Sequence, residues 1–204
     1  MAVITISRHT GAGGITLGQR LANKLGYRYV DEVMIKDIAE KIGVTREDVR
    51  SFEKDGATKL MRFLDKVVRT DFVRRESANR YGTVDEKEYV YVVRAIIKEL
   101  YLQKNVVIVG RGGQFILKDL PDVWRTLLVD DVKNRVRFMM ENYRLDEGKA
   151  ERFIRERDRF RSNFLSFFAD KSLHDDPRSY DLVINMEHVS LEKAEKLVLE
   201  LIER

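Results

Sequence analysis

Hydrophobic positions near the N-terminus change from the spacing of a strand to that of a helix. Residues 3–6 form a short apolar run typical of a buried strand, and Leu17, Leu21 and Leu25 follow at helical spacing. Gly26 is then a residue type that commonly ends a helix. A glycine-rich loop joins the strand to the helix, so the chain opens with a strand-loop-helix unit.

The same alternation continues along the chain. Further apolar runs predict strands over residues 27–30, 105–110, 124–129 and 180–184. Apolar residues at helical spacing predict helices over 35–42, after Thr45, within 58–103 around a polar break at 77–85, over 132–143, over 153–167 after a polar turn at 144–149, and after Ser190. Strands that alternate with helices indicate an α/β protein with a parallel sheet and right-handed crossovers.

Composition narrows the class of protein. The chain has 204 residues, enough for one domain with an insertion, and its lack of cysteine excludes disulfides and thiolate metal sites. Its 38 basic and 34 acidic residues are interleaved, so we expect no binding to nucleic acid. No apolar run approaches the ~18 residues of a membrane span, and no signal pattern opens the chain. We expect a cytoplasmic protein with small-molecule partners; its oligomeric state stays open, a homo-oligomer included.

The loop after the first strand carries the clearest chemical signal. Its glycines leave backbone N–H groups free to surround an anion, and the following helix adds the positive end of its dipole. Gly14 stands where the usual phosphate loop has its lysine, and Thr16 offers a hydroxyl to Mg²⁺. The alternative is that the glycines only let the strand and helix pack closely. The predicted phosphate-binding residues are Gly11, Ala12, Gly13, Gly14, Ile15 and Thr16.

Four arginines are candidates for the cations that phosphoryl transfer requires. Arg8 lies at the entrance of the loop, Arg111 follows a buried strand, and Arg157 and Arg161 share one helix face. Because a planar guanidinium can hold two phosphate oxygens, we predict all four as catalytic residues and Arg111 also as a substrate contact. Arg8 is the candidate to replace the lysine missing at Gly14. The alternatives are a surface ion pair for Arg8 and a solvated charged face for the helix arginines.

Acidic residues and histidines give weaker signals. Asp31 follows the second strand, where it could contact the substrate or cap the next helix. Asp130 and Asp131 also precede a helix; they could hold Mg²⁺ through water, but capping is the commoner role of such residues. His9 lies near the predicted phosphate site by position alone, and we expect His174 and His188 at the surface. No His-Glu spacing indicates a zinc site.

Three motifs resemble those of the nucleoside monophosphate kinases and, within them, of the cytidylate kinase-like family: Thr10-Gly11-Ala12-Gly13, Gly110-Arg111 and Glu156-Arg157-Asp158. The resemblance covers nearly the whole chain. It implies a single domain, residues 1–204, with a three-layer α/β/α P-loop kinase fold and a five-stranded parallel sheet. It also implies a helical monophosphate-binding insertion over 33–103 and a lid over 144–164.

The resemblance implies a reaction as well. Enzymes of this family move the γ-phosphoryl group of ATP, with Mg²⁺, to a nucleoside monophosphate, usually CMP or dCMP, and the resemblance assigns Asp158 to substrate binding. The chain departs from the family pattern at Gly14, at Gly112 and in the lid, where Arg161 and Phe164 stand at family motif positions. Two alternatives stay open: a P-loop kinase for another small acceptor, and a catalytically impaired nucleotide-binding regulatory protein.

Overall fold

The computed structural model describes residues 2–42 and 86–203. Its strands are β1 (Val3–Arg8), β2 (Arg28–Asp31), β3 (Val106–Val109), β4 (Val123–Val129) and β5 (Leu182–Asn185). Its helices are α1 (Gly14–Leu25), α2 (Glu32–Ile42), α3 (Glu86–Gln103), α4 (Gly113–Ile116), α5 (Val132–Tyr143), α6 (Glu147–Leu165) and α7 (Leu191–Ile202), with short 3-10 helices at Lys171–Leu173 and Pro177–Ser179. The helices predicted between residues 45 and 76 and the polar break at 77–85 lie outside the described residues.

The five strands form one sheet in the order β2-β3-β1-β4-β5. β1 lies at its centre and pairs in parallel with β3 and β4, with Ile4 opposite Val107 and Trp124. β5 pairs in parallel with β4. All of β3 is buried, as expected for a parallel strand that is covered on both faces. The parallel sheet predicted from the alternation of elements is confirmed.

Helices cover both faces of the sheet, which gives the three-layer α/β/α arrangement. On one face, Ile4 and Ile6 of β1 share a core cluster with Leu17 and Leu21 of α1 and Val198 of α7. On the other face, α4 lies against β1 and β3. Burial stabilises the sheet by roughly 1.5–3 kcal/mol for each large aliphatic side chain. The carboxyl ends of β1, β3 and β4 point to one edge, which is where ligands bind in open parallel sheets.

The chain divides into two compact units, residues 1–29 with 104–204 and residues 30–103. In the second unit, α2 and α3 pack against each other, and each buries an apolar face. No helix among the described residues has the length and apolarity needed to cross a bilayer. The buried residues of the second unit's helices include Ile35, Ile38 and Ala39 on α2 and Val93, Ile96, Ile97 and Leu100 on α3.

The start of α6 differs from the sequence-based prediction. Asp146 accepts a hydrogen bond from the backbone N–H of Lys149 and caps the helix, which therefore begins at Glu147. Gly148 consequently lies inside the helix rather than in a polar turn, and Phe167 lies beyond the end of α6. Capping has overridden the low helix propensity of glycine at this position.

His174 is buried, so the prediction that it lies at the surface is wrong. Only 4% of the residue is exposed, and its ring centroid lies 6.4 Å from that of Phe115. Its Nε2 lies 3.2 Å from the Ala169 carbonyl oxygen, and its own carbonyl accepts a hydrogen bond from the Tyr180 hydroxyl. The side chain that covers its ring is distant in sequence, so local pattern could not reveal the burial. His188 is exposed, as expected.

Arg125 and Asp181 join β4 to the start of β5. The Asp181 carboxylate accepts hydrogen bonds from the Arg125 guanidinium at 3.0 and 2.7 Å and from the Arg125 backbone N–H at 2.8 Å. Burial on its own raises the pKa of this carboxyl, but these hydrogen bonds outweigh burial and hold the pKa below its usual range. The ionised carboxylate therefore stabilises the fold above about pH 4, and this stabilisation is lost as the pH falls through the lowered pKa.

We expect Asp181→Asn to lower the free energy of unfolding by about 1–2 kcal/mol at pH 7, because an amide cannot form the charged bidentate pair. The difference from the wild type should begin to shrink below about pH 4, where the carboxyl of the unfolded chain becomes protonated, and should vanish as the pH falls through the lowered pKa of the folded state. Urea unfolding followed by circular dichroism at pH 7 and pH 3 measures both effects. The control is Glu192→Gln, which removes an exposed pair with Lys196 on α7. A control that loses as much stability as Asp181→Asn would contradict the assignment.

Candidate functional site

The loop between β1 and α1 turns through left-handed backbone at two glycines. Gly11 and Gly13 have φ values of 87° and 80°, a left-handed conformation that residues with a Cβ rarely adopt. Among the described residues, no side chain caps the start of α1 and no acidic side chain lies in its first turn. The first amides of a helix have no partner within it, so this end of α1 suits an anion. The predicted residues Gly11, Ala12, Gly13, Gly14, Ile15 and Thr16 all lie on this loop and first turn.

The Arg8 side chain crosses this loop at the position of the missing lysine. A Cβ atom on Gly14 would lie 2.8 Å from Cγ and 2.9 Å from Cβ of Arg8, closer than real atoms approach. Farther along the side chain, the guanidinium lies against Gly110 at the end of β3, where a Cβ atom would overlap Nη1. Glycine at position 14 therefore leaves room for the Arg8 stem, and the guanidinium at its end lies beside Gly110.

Arg161 of α6 reaches the end of β1. Its Nη2 donates hydrogen bonds to Ser7 Oγ at 3.0 Å and to Asp175 Oδ1 at 2.5 Å. Asp175 Oδ2 in turn lies 3.3 Å from Nε2 of His9 in the loop. Burial by itself raises the pKa of the Asp175 carboxyl, but the hydrogen bonds with His9 and Arg161 outweigh it and hold that pKa well below its usual range. An ionised carboxylate thus ties the α6 arginine to the glycine loop.

A second charged pair, Asp158 of α6 and Arg135 of α5, contacts the same loop. Asp158 Oδ1 accepts a hydrogen bond from the Thr10 backbone N–H at 3.0 Å, and its Oδ2 lies 2.6 Å from Arg135 Nη1. The same nitrogen of Arg135 donates to the Thr10 carbonyl oxygen at 3.1 Å. Arg135 also packs on Gly11, where a Cβ atom would come within 3.0 Å of it. Asp158, predicted as a substrate contact, therefore contacts the loop backbone in this structure.

Arg111 lies two residues after Val109, the last residue of β3, and is buried against α6. Its φ is 53°, in the left-handed region, and its Cζ lies 4.7 Å from the centroid of the Phe164 ring. The ring of Phe168 covers the neighbouring Gly112, and its centroid lies 5.3 Å from that of Phe164. A guanidinium over an aromatic face gains about 0.5–2 kcal/mol of cation–π attraction. Two aromatic side chains at the end of α6 thus hold the backbone and cation at the end of β3.

The other predicted residues have separate surroundings. The Arg157 guanidinium lies 5.9 Å from the ring centroid of Phe153 on its own helix, whereas Arg161 reaches β1. The two arginines predicted to share a helix face therefore contact different parts of the structure. Asp31 belongs to the second unit, where its carboxylate caps α2 by accepting two backbone N–H groups at 3.0 Å. Asp131 likewise caps α5. The capping alternative thus describes both aspartates in this structure.

Three residues of the site were not found by sequence analysis: Ser7, Arg135 and Asp175. Arg135 lies in a charged amphipathic helix, and Asp175 lies in a polar turn before Pro177. Both sequence contexts are common, so neither distinguishes a site residue from a surface residue. Their partners lie far away in sequence: Arg135 is separated from Thr10 by 125 positions. No local signal identified them, because their roles arise from tertiary contacts alone.

The residues present fit a magnesium ion that arrives with phosphate groups. Within the described parts of the chain, no group of three or more His, Cys, Asp or Glu side chains could hold a metal ion by itself. Mg²⁺ in nucleotide sites keeps several waters and takes its other ligands mainly from phosphates and one or two protein oxygens. Thr16, in the first turn of α1, can supply one such oxygen.

Comparisons with known proteins agree with this geometry. The model of the cytidylate kinase-like family matches residues 3–188. A cytidylate kinase of Staphylothermus marinus is 26% identical over 207 residues, which cover 100% of this chain and 98% of that protein.

Solved structures resemble the fold. A protein from Eubacterium ventriosum has a TM-score of 0.70 at 19% identity, covering 100% of this chain and 99% of its own. A shikimate kinase from Acinetobacter baumannii, solved with shikimate, has a TM-score of 0.51 at 17% identity over 100% and 93% of the two chains. A gluconokinase from Sinorhizobium meliloti has a TM-score of 0.51 at 12% identity over 100% and 92%. At these identities the likeness concerns the fold, which is that of the P-loop kinases. Because the family match spans most of the sequence, the chain belongs to the cytidylate kinase-like family.

Proposed function

We propose that this protein transfers the γ-phosphoryl group of ATP to a nucleoside monophosphate, with CMP or dCMP as the preferred acceptor. The observation that carries the proposal is the glycine loop with the Arg8 side chain laid across Gly14. It combines amides that suit phosphate with an arginine whose stem packs beside the position where the usual loop has lysine and whose guanidinium lies at the end of β3. The choice of acceptor is supported by the 26% identity to a cytidylate kinase.

In the proposed reaction, an acceptor phosphate oxygen forms a bond to the γ-phosphorus of ATP. The bond from that phosphorus to the β–γ bridging oxygen breaks, and ADP leaves. The loop amides hold the donor phosphates, and Arg8 offsets their charge. Arg111 and Arg161, from the end of β3 and from α6, hold the acceptor phosphate in line. The Thr16 hydroxyl would help to hold a Mg²⁺ ion that arrives with the phosphates, and the ion would supply further neutralisation of charge.

We further propose that residues 33–103 form the monophosphate-binding region and that 144–164 form a lid. The contacts of Asp158 and Arg161 with residues 7–10 support the second assignment, because a lid must close onto the loop that holds the phosphates. Closure of this kind excludes water from the transferring group and completes the set of cations around it.

The test is phosphoryl transfer from ATP with Mg²⁺ to a panel of CMP, dCMP, UMP, AMP and GMP, followed by chromatography of ADP and product. We expect kcat/KM for CMP or dCMP to exceed that for AMP and GMP by at least about tenfold, a difference of about 1.4 kcal/mol in transition-state binding. Gly13→Val is the control for contaminating kinases, because its Cβ would enter the Leu191 side chain at an unfavourable φ.

The outcomes separate the candidate functions. Turnover of another small acceptor, with none of the nucleoside monophosphates active, would replace the proposed acceptor by the first alternative. Binding of ATP without turnover of any acceptor would instead favour a nucleotide-binding regulatory protein. Activity that persists in the Gly13→Val variant would trace the signal to a contaminant.

A further inference from the structure

The ion pair of Asp158 and Arg135 encloses one residue of the phosphate loop. Asp158 accepts the Thr10 N–H, Arg135 donates to the Thr10 carbonyl, and the two side chains bind each other at 2.6 Å. Both backbone polar groups of Thr10 are therefore held by the same two charged side chains. These side chains come from α5 and α6, 125 and 148 positions away from Thr10 in sequence.

This arrangement places a carboxylate beside a loop whose proposed ligand is an anion. At 3.0 Å from a loop amide, an uncompensated Asp158 would take up that donor and repel phosphate. Two like charges about 6 Å apart in a partly buried site repel strongly enough to change an affinity by ten- to a hundredfold. A phosphate site can therefore tolerate this carboxylate only if its charge is balanced nearby.

Arg135 is placed to provide that balance. Its side chain is only 7% exposed, whereas that of Asp158 is 34% exposed, so the cation is fixed by packing and the carboxylate lies nearer to solvent. Within the described part of the chain, the buried Arg135 Nε has no hydrogen-bond partner. A buried guanidinium with an unused donor is costly because it loses hydration, so other contacts must compensate for that cost. The paired carboxylate and the Thr10 carbonyl are the compensating contacts visible here.

We infer that Arg135 is a positioning residue that neutralises Asp158 at the phosphate loop, so that the pair orients Thr10 without repelling the donor nucleotide. The inference rests on the proposed function, because it assumes that the loop binds phosphate. Removing the cation alone leaves a negative charge at the loop and weakens nucleotide binding. Removing both charges relieves that repulsion, so the second substitution restores part of the affinity lost in the first.

The experiment compares Arg135→Gln, Asp158→Asn and the double variant; each removes charge, Asp158→Asn preserves side-chain size, and Arg135→Gln keeps a shorter polar side chain. Isothermal titration calorimetry with ATP and Mg²⁺ gives Kd, and kinetics give KM for ATP separately from kcat. We expect Arg135→Gln to raise Kd by roughly ten- to a hundredfold and the double variant to bind at least about fivefold more tightly than Arg135→Gln. Arg135→Lys should recover part of the affinity, since it keeps the charge. Glu192→Gln, on the exposed surface of α7, is the matched control for loss of one charge.

The outcomes separate failure of the inference about Arg135 from failure of the proposed function. A double variant that binds no better than Arg135→Gln overturns the inference, because a purely structural pair gains nothing from a second loss. Circular dichroism and urea unfolding establish that each variant is folded. If Arg135→Gln is not, Arg135→Met alone and paired with Asp158→Asn gives the same comparison, because methionine also removes the charge but keeps a long side chain. A wild type that binds ATP but transfers no phosphoryl group overturns the proposed function. The inference about Arg135 is then decided by the Kd values of the variants for ATP. A wild type that binds neither ATP nor tripolyphosphate overturns both.

Discussion

Replacing Arg8 with alanine is expected to lower kcat/KM for phosphoryl transfer by a factor of about 10²–10³. The Arg8 stem packs against Gly14 and its guanidinium lies beside Gly110, at the edge of the sheet where we propose that it offsets charge on the transferring group. Loss of one preorganised electrostatic contact of this kind typically costs a factor of that size. Steady-state kinetics with ATP and the best acceptor measure the effect, and urea unfolding measures stability in parallel.

The contact between Arg8 and Gly14 allows a sharper version of this test. Gly14→Lys alone should also impair activity, because its Cβ would lie 2.8 Å from the Arg8 Cγ and displace that side chain. Arg8→Ala would keep the Cβ atom that lies 2.9 Å from the new one, so the space opens only in an Arg8→Gly background. There, Arg8→Gly/Gly14→Lys should recover at least about tenfold in kcat/KM over Arg8→Gly. Arg8→Gly/Gly14→Ala has the same steric change without the charge and should recover nothing. If Arg8→Ala keeps kcat/KM within about threefold of the wild type, Arg8 is not part of the site.

Replacing Arg111 with alanine is expected to lower kcat/KM for the acceptor by about 10²–10³, with KM for ATP changed by less than about threefold. Arg111 follows β3 and is held over Phe164, so its cation is already oriented before any substrate binds. A preorganised guanidinium stabilises phosphate oxygens without a further entropic cost at the moment of reaction. Kinetics with each substrate varied in turn separate the two KM values.

The backbone at position 111 needs its own control. Its φ of 53° is unfavourable for alanine, so Arg111→Ala can lose roughly 1 kcal/mol of stability for a reason unrelated to charge. Arg111→Asn also removes the cation, but asparagine tolerates the left-handed region. We expect both variants to lose activity equally and Arg111→Asn to be the more stable. Normal activity in Arg111→Asn would remove Arg111 from the proposed mechanism.

The positions of the strands along the chain could be predicted from the sequence to within a few residues, but not their order in the sheet. The apolar run at 105–110 is long enough for a strand, and both faces of β3 are buried, as its lack of alternation indicates. In the described parts of the chain, helices were found where apolar residues recur at helical spacing, as in α1 and α7, because such a face must be covered in the folded state. The exact start of α6 was missed, since a side-chain cap at Asp146 decides it.

The candidate site was predictable only in part. The glycine loop has a local signature, because its conformation and exposed amides depend on adjacent residues, and Arg8 and Arg111 were found because they border buried strands. The contacts that these residues make depend on neighbours that are distant in sequence. Asp158 matched a lid motif, yet its contacts with Thr10 and Arg135 cross more than a hundred positions in one case and about two dozen in the other.

The sequence by itself determined the parallel α/β order, the position of the glycine loop and the absence of lysine at Gly14, because each depends on residue type and local spacing. Only the tertiary structure decided that the Arg8 stem fills the space beside Gly14, that Asp175 joins Arg161 to His9, and that Arg135 balances Asp158. The physical reason is the range of the forces involved. Backbone conformation and amphipathic burial follow short sequence periods, whereas charge compensation and steric fit act between atoms that only the folded chain brings together.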